Sequence, residues 1–328
     1  MTTPARRDLL FASPVLTLAA PRLARAQDWR PTQPIRLIVP APPGGITDIG
    51  GRMLANHLQS RWGQPCVVEN RAGGGGVIGT MEFLRGPADR HTILIGNVGP
   101  QATAYTLFRN LPYRSEQLMP MSGLIRGPNI LVVHPSVPAT TVPQFVDWLK
   151  LNRASYGSSG IGQSPHLSGV WFMQLTGAEA THVPYRGSAP AMTDLLAGNI
   201  QFMFENLIAA SEAVQAGRLR ALGVTTATRS ALLPDLPALR ETMPALAPYD
   251  VSTWVGAFMH ADTPQDVIGA YNRATTEMLR LPESGAALQR RGSEAHITTV
   301  AEYQRFVTDE IAKWRDVVRR EGLVVEMN

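Results

Sequence analysis

Apolar positions in this 328-residue chain fall into short continuous runs that alternate with runs at helical spacing. Ile35-Arg36-Leu37-Ile38-Val39 reads as a buried strand, and Ile49, Met53, Leu58 and Trp62 then mark one face of a helix. The pattern repeats with strands over 66–69 and 92–96 and a helix over 77–84 between them. It restarts after Ile130-Leu131-Val132-Val133, which is bounded by His134-Pro135. The spacing there predicts a helix over 142–151, a strand near Tyr156, a helix over 165–175, a strand over 182–184 and a helix over 190–196. Strands over 200–204 and 219–224 follow. Residues 225–250 are rich in Pro and Leu without a clear period and read as a long connection. An extended run over 251–259 precedes two closing helices. The first starts at Thr263-Pro264 and runs to about Leu281. The second is announced by the capping box Thr299-Val300-Ala301-Glu302, carries Tyr303, Phe306, Val307, Ile311, Trp314 and Val318, and ends at Gly322.

Strand–helix–strand alternation predicts an α/β fold of mainly parallel sheets flanked by helices. Two lobes are the economical arrangement: 27–127 and 251–328 in one, 128–250 in the other. Ligands of such sheets bind beyond the carboxyl ends of the strands, here between the lobes.

The first 26 residues fall outside this pattern. Arg6-Arg7-Asp8-Leu9-Leu10 is a twin-arginine signature, 9–20 is a short apolar core broken by Pro14, and Ala24-Arg25-Ala26 fits a small-x-small cleavage site. A signal peptide over 1–26 is therefore expected, with export by the twin-arginine route to the periplasm. Four arginines and one aspartate lie in it, so the remaining chain carries +1 instead of +4. That removes the electrostatic case for a nucleic-acid partner. Cys66 is the single cysteine, so no intramolecular disulfide is possible; a small buried hydrophobe is the expected role.

The chemistry-bearing residues gather in loops between strands and helices. In Pro40-Ala41-Pro42-Pro43-Gly44-Gly45-Ile46-Thr47-Asp48 the glycines allow close backbone approach, the helix N-terminus offers bare N–H groups, and Thr47 or Asp48 is placed to cap it. A second loop contains a formal G-x-G-x-x-G match at Gly74, Gly76 and Gly79. It lacks the acidic residue about 20 positions on that a dinucleotide site requires, so no cofactor follows from it. The third, 156–164, sets Ser159, Gly160 and Gln163 before a helix containing His166. Ser159 and His166 do not form a nucleophile elbow, and no acid is evidently placed to orient the imidazole. In the fourth, Tyr185-Arg186-Gly187-Ser188-Ala189-Pro190, Ser188 is placed to cap a helix started by Pro190, and Arg186 is either a carboxylate partner or a surface charge. Glu205, after a strand, could hold a ligand amine or pair with an arginine. The histidines show no metal-ligand spacing. The loops converge on anion binding while nothing assembles a catalytic group, which argues for binding rather than turnover.

Trp29-Arg30-Pro31, the 40–48 loop, Val68-Glu69-Asn70-Arg71 with its glycines, Ser158-Ser159-Gly160, Val183-Pro184-Tyr185-Arg186-Gly187, Ala189-Pro190-Ala191 with Asp194-Leu195-Leu196, and 219–225 come in an order that resembles the substrate-binding proteins of tripartite tricarboxylate transporters, the Bug family. The resemblance covers nearly the whole chain after the signal. It implies a two-lobed periplasmic binding protein of the type II class, a monomer that closes on a small carboxylate and hands it to a membrane permease. It also implies that backbone N–H groups and hydroxyls of Gly44, Gly45, Ile46, Thr47, Ser159, Gly160, Gly187 and Ser188 hold the carboxylate. Asn97, Gln163, Arg186 and Glu205 complete the candidate ligand-binding set. The chain departs from the family pattern at Asp89-Arg90-His91-Thr92, where the family has Asp-Gly-Tyr-Thr. It departs again over 97–102, where hydroxyls and a His are usual, at Glu205 in place of Asp, and in the peripheral-looking 237–241. Reporting to a membrane sensor kinase is an alternative role, and an exported hydrolase using Ser159 and His166 a remote one.

Overall fold

The computed structural model describes residues 29–320 and 322–326. The expected signal peptide lies outside the described residues. Strands β1 (Ile35–Val39), β2 (Cys66–Asn70) and β3 (Thr92–Asn97) alternate with helices α1 (Ile46–Trp62) and α2 (Val77–Arg85). A π-helical turn, Gly99–Thr103, leads from β3 into α3 (Ala104–Leu107). The long strand β4 (Leu118–Val133) follows, then α4 (Val142–Leu151), β5 (Ser155–Ser158), α5 (Ser164–Thr176), β6 (Thr181–Pro184), α6 (Ser188–Leu196), β7 (Phe202–Asn206), α7 (Leu207–Gln215) and β8 (Arg220–Val224). The chain closes with β9 (Ser252–His260), α8 (Gln265–Arg280), α9 (Pro282–Gln289), β10 (Glu294–Ala295) and α10 (Val300–Arg320).

The sheet is mixed: parallel strands, as the alternation predicts, make up each half, and antiparallel strands join them. Its order is β2-β1-β3-β9-β4-β7-β5-β6, with β8 and β10 also pairing β4. The β1–β2, β1–β3, β5–β6 and β5–β7 pairs are parallel, whereas β9 and β4 run antiparallel to their neighbours. The two long strands thus divide the sheet into two parallel triads. β4 pairs with β9 from Leu118 to Pro128 and with β7 from Asn129 to Val133, so one strand serves both halves of the molecule.

The change of partner is stitched by side chains as well as backbone. Thr225 N–H donates to Asn129 O and Asn129 N–H to Thr225 Oγ1, while Val251 N–H donates to Thr225 O and Thr225 Oγ1 to Val251 O. Asn129 Nδ2 donates to Ser168 Oγ at 3.0 Å, and Asn129 Oδ1 accepts from Asn206 Nδ2 at 2.5 Å. The 225–251 connection is also less peripheral than its composition suggests: Leu239, Leu246 and Tyr249 are fully buried. One apolar cluster crosses the boundary, from Leu94 and Phe258 through Trp254 and Tyr249 to Phe172 and Phe202. α10 adds a tie, with Trp314 edge-on to Trp171 of α5, and buried Glu310 accepting from the indole N–H groups of Trp254 and Trp314. Cys66 is half-buried beside the first-half core rather than fully enclosed, and burial pushes its thiol up to about 11.

Candidate functional site

Both parallel triads end their strands at loops that feed helices, and these loops face each other. Gln163 Nε2 donates to Gly75 O at 2.8 Å, joining the start of α5 to the turn before α2. A Cβ added to Gly75 would fall 2.5 Å from Ile161 O, and one added to Gly187 would fall 3.0 Å from Pro42 Cγ. The two walls are therefore in contact along these loops: the cleft is closed.

The first wall is internally braced. α1 begins at Ile46 with Gly45 at its N-cap and no side-chain cap, so neither Thr47 nor Asp48 caps it as their hydroxyl and carboxyl suggested. Both lie inside the helix and turn elsewhere. Asp48 reaches back to the loop, where Oδ2 accepts from Gly44 N–H and Arg52 Nε, each at 2.9 Å, and Oδ1 from Asn70 Nδ2 at 2.9 Å. Burial pushes its carboxyl up, but those hydrogen bonds outweigh it and hold the group below the usual carboxylate range. Buried Thr47 accepts from Asn97 Nδ2 at 3.1 Å. Asn97 Oδ1 accepts from Gly99 N–H, its own N–H donates to Gln101 Oε1, and Gln101 Nε2 donates to Thr80 Oγ1. The amides at 97 and 101, where the family pattern has other residues, are thus consumed in holding the wall together.

The second wall is looser. Ser159 is half-exposed and makes no side-chain hydrogen bond among the described residues; Ser158, fully buried, is the bonded serine, with Oγ 2.7 Å from His182 Nε2 and accepting from Gly160 N–H. Ser158 is the last residue of β5 and Ser159 the first beyond it, where the chain turns toward α5. His166 Nδ1 accepts from Gly162 N–H at 3.1 Å and its ring stacks on His182 at 4.0 Å. Burial, and then the neighbouring His182, hold it down to about 3, so it stays neutral and engaged away from Ser159. Gln163 is the N-cap of α5 without capping by its side chain.

At α6 the structure corrects a second cap. Gly187, at φ 113, is the N-cap, and Ser188 is the first helical residue. A positive φ of that kind favours glycine. The Ser188 hydroxyl donates instead to Glu205 Oε1 at 3.1 Å, which also accepts from Asn206 N–H at 2.7 Å. Glu205 is fully buried at the carboxyl end of β7, and among the described residues its Oε2 has no hydrogen-bond partner and no arginine forms an ion pair with it. Burial pushes its carboxyl up to about 7, with the Asn206 and Ser188 hydrogen bonds pulling the other way. Arg186 is exposed and makes no ion pair.

Sequence reading missed Asn70, Thr80 and Gln101, which bond Asp48 or one another across 21 or 22 residues, Ser158, and Arg52, which the four-residue spacing from Asp48 on α1 could have found. Among the described residues no group of His, Cys, Asp and Glu could hold a metal ion, and no helix is long and apolar enough to cross a membrane. A surface groove of about 770 Å³ between α8 and the start of α10, lined by Thr276, Arg280, Ile297 and Glu302 among others, contains none of the loop residues and is not this site.

Residues 51–323 match the family profile described as "Tripartite tricarboxylate transporter family receptor". The chain is 35% identical over 309 residues to protein BugT of Bordetella pertussis, covering 93% of each. Its fold is similar to that of R. palustris Rpa4515 with adipate, at TM-score 0.85, 32% identity, 90% of this chain and 99% of that one. It is also similar to MatC from Rhodopseudomonas palustris with bound malate, at TM-score 0.80, 26% identity, 88% of this chain and 99% of that one. A profile match over most of the chain and a relative matched over 93% of its length agree: this chain belongs to the tripartite tricarboxylate transporter receptor (TctC, or Bug) family of solute-binding proteins, which are receptors and not enzymes.

Proposed function

We propose that this protein captures a small carboxylate in the periplasm, after export by the twin-arginine route, and delivers it to the permease subunits of a tripartite transporter. The observation that carries the reading is the meeting of the two walls. The N-termini of α1, α5 and α6 lack side-chain caps and stand at loops joined across the cleft by Gln163 and Gly75. Bare N–H groups and the positive end of a helix dipole suit a carboxylate without requiring a cationic side chain. Gly44, Gly45, Ile46 and Thr47 on one side, and Ser159, Gly160, Gly187 and Ser188 on the other, are the proposed binding residues, with Asn97 and Gln163 holding the walls. We divide the chain into lobes at about 128 and 251, and the change of partner along β4 after Pro128 supports the first boundary. Capture works because the closed state makes contacts the open one cannot. The adipate and malate of the two neighbours support an organic acid.

A thermal-shift screen over dicarboxylates, hydroxy acids, aromatic acids and amino acids tests the reading. A solute at 100 times its dissociation constant adds about 2.7 kcal/mol of stability. No shift from any acid would remove carboxylate capture. Loss of uptake of the bound acid on deletion of the gene, with the permease genes intact, tests delivery.

A further inference from the structure

The three helix N-termini at the cleft differ in their acids. At α1 the nearby carboxylate, Asp48, is already matched by Arg52, Asn70 and the Gly44 N–H. The first turn of α5 contains no acidic residue. At α6 a carboxyl lies directly against the first residue, because Ser188 Oγ donates to Glu205 Oε1. Among the described residues no lysine or arginine pairs with that acid, and Arg186, two residues before Ser188, is exposed without an ion pair. Glu205 Oε2 is buried with no hydrogen-bond partner. A buried carboxyl oxygen that has lost water and gained nothing is an unfilled acceptor.

An anionic ligand end therefore finds unlike reception at the three helices. The N-termini of α1 and α5 offer N–H groups with no uncompensated negative charge beside them. The N-terminus of α6 offers N–H groups with an acid behind them, which repels a second carboxylate whenever Glu205 is ionised. An N–H or O–H donor placed there meets Oε2 instead.

We propose that the corner formed by Ser188 and Glu205 is a subsite for a hydrogen-bond donor, so that the captured solute is an acid bearing an amine or hydroxyl group rather than a plain dicarboxylate. The proposal rests on the carboxylate-capture reading and divides the cleft into a carboxylate end at α1 and α5 and a donor end at α6. It gives Glu205 a selective role: it does not add general affinity for acids but sets which acids are kept.

Calorimetric titration at pH 8 with matched pairs tests it: aspartate and malate each against succinate, and 2-aminoadipate against adipate. In wild-type protein the donor-bearing member of at least one pair should bind at least tenfold more tightly than its plain partner. Glu205→Gln, nearly isosteric, should reduce that ratio below threefold, and Ser188→Ala, on a half-exposed residue, provides a second variant expected to lower it. Aspartate against malate tells an amine from a hydroxyl as the donor. If the plain diacid binds as well as or better than its partner in every pair, or the preference survives Glu205→Gln, the inference is overturned while carboxylate capture stands. If none of these acids binds, the capture reading falls and this inference falls with it.

Discussion

The two walls of the cleft hold their polar groups in opposite ways. On the first, Asp48, Thr47, Asn97, Gln101 and Thr80 give their hydrogen-bonding atoms to one another or to the loop backbone. On the second, the Ser159 hydroxyl, the Arg186 guanidinium and Glu205 Oε2 have no partner among the described residues. A wall that satisfies itself presents fixed backbone N–H groups and can read only charge and shape. A wall with open donors and acceptors can discriminate between solutes, because a solute that leaves them unfilled loses affinity. The contrast is sharpest between the two acids. Asp48 is held low by its donors, and Glu205 is held high by burial.

The largest expected effect is on the braced wall. Asp48→Ala removes the acceptor for Gly44 N–H, Arg52 Nε and Asn70 Nδ2 together. Hydrogen bonds to a charged group contribute about 1.5–3 kcal/mol each but not additively, so a loss of about 3 kcal/mol in urea unfolding is expected. A loss below about 1 kcal/mol would mean that the loop is not braced through Asp48 and that the walls differ less than described.

The second effect is a pH dependence of opposite sign for the two acids. Glu205 is raised to about 7, against about 4.3 in an unfolded chain. Its neutral form suits the fold, so its contribution is fully present below about pH 4 and lost as pH rises through about 7. The expected loss is of order 3 kcal/mol relative to Glu205→Gln, read as the difference in urea unfolding between pH 4 and pH 8. Its hydrogen-bond partners among the described residues, Ser188 Oγ and Asn206 N–H, do not titrate in this range. Asp48 is lowered, so its contribution is present at neutral pH and lost as pH falls through and below the ordinary carboxylate range. A pH-independent difference between wild type and Glu205→Gln would show that Glu205 is not buried unpaired, and the contrast would collapse.

The two walls were also unequally readable from the chain. Local pattern set the strands at 35–39 and 92–96 and the helix at 142–151 to within a residue, because turns and apolar period agree there. It failed for the first part of β4, where Pro120, Gly123, Gly127 and Pro128 interrupt the period and β9 supplies the strand character through a long register with two bulges. It also missed α7, since β7 runs from Asn206 straight into Leu207 with no breaker residue between. The polar residues were correctly placed in loops, but their duties were not. Thr47 and Ser188 look like caps and instead meet Asn97 and Glu205, partners 50 and 17 residues away. Composition could not show that Glu205 would be buried without a cation. That depends on which basic residues the fold brings near, and Arg186, two residues before the Ser188 that bonds Glu205, stays exposed. Arg90, at φ 65, is another such case: the family pattern has Gly there, and this chain's own residue does not mark the unusual backbone.

Ser159→Ala sharpens the comparison from the binding side. The hydroxyl makes no bond within the protein, so stability should change by less than about 0.5 kcal/mol. Affinity for whichever acid binds best in the screen should fall about five- to tenfold, the worth of one hydrogen bond. Destabilisation without loss of affinity would place Ser159 in the brace instead of the open wall.

The smallest effect is expected where the walls meet. Gln163 Nε2 donates to Gly75 O across the cleft, a bond available only when the loops are together. Gln163→Ala removes about 1 kcal/mol from the closed form alone. Since closure is shared by every bound solute, affinities should drop about threefold to fivefold for all acids alike. The ratio between donor-bearing and plain acids should stay where Glu205 sets it. A uniform loss with an unchanged ratio separates the latch, which fixes how tightly the cleft holds any acid, from the open wall, which fixes which acid it holds. If Gln163→Ala changes the ratio instead, Gln163 touches the solute and belongs with Ser159 and Glu205 on the discriminating side.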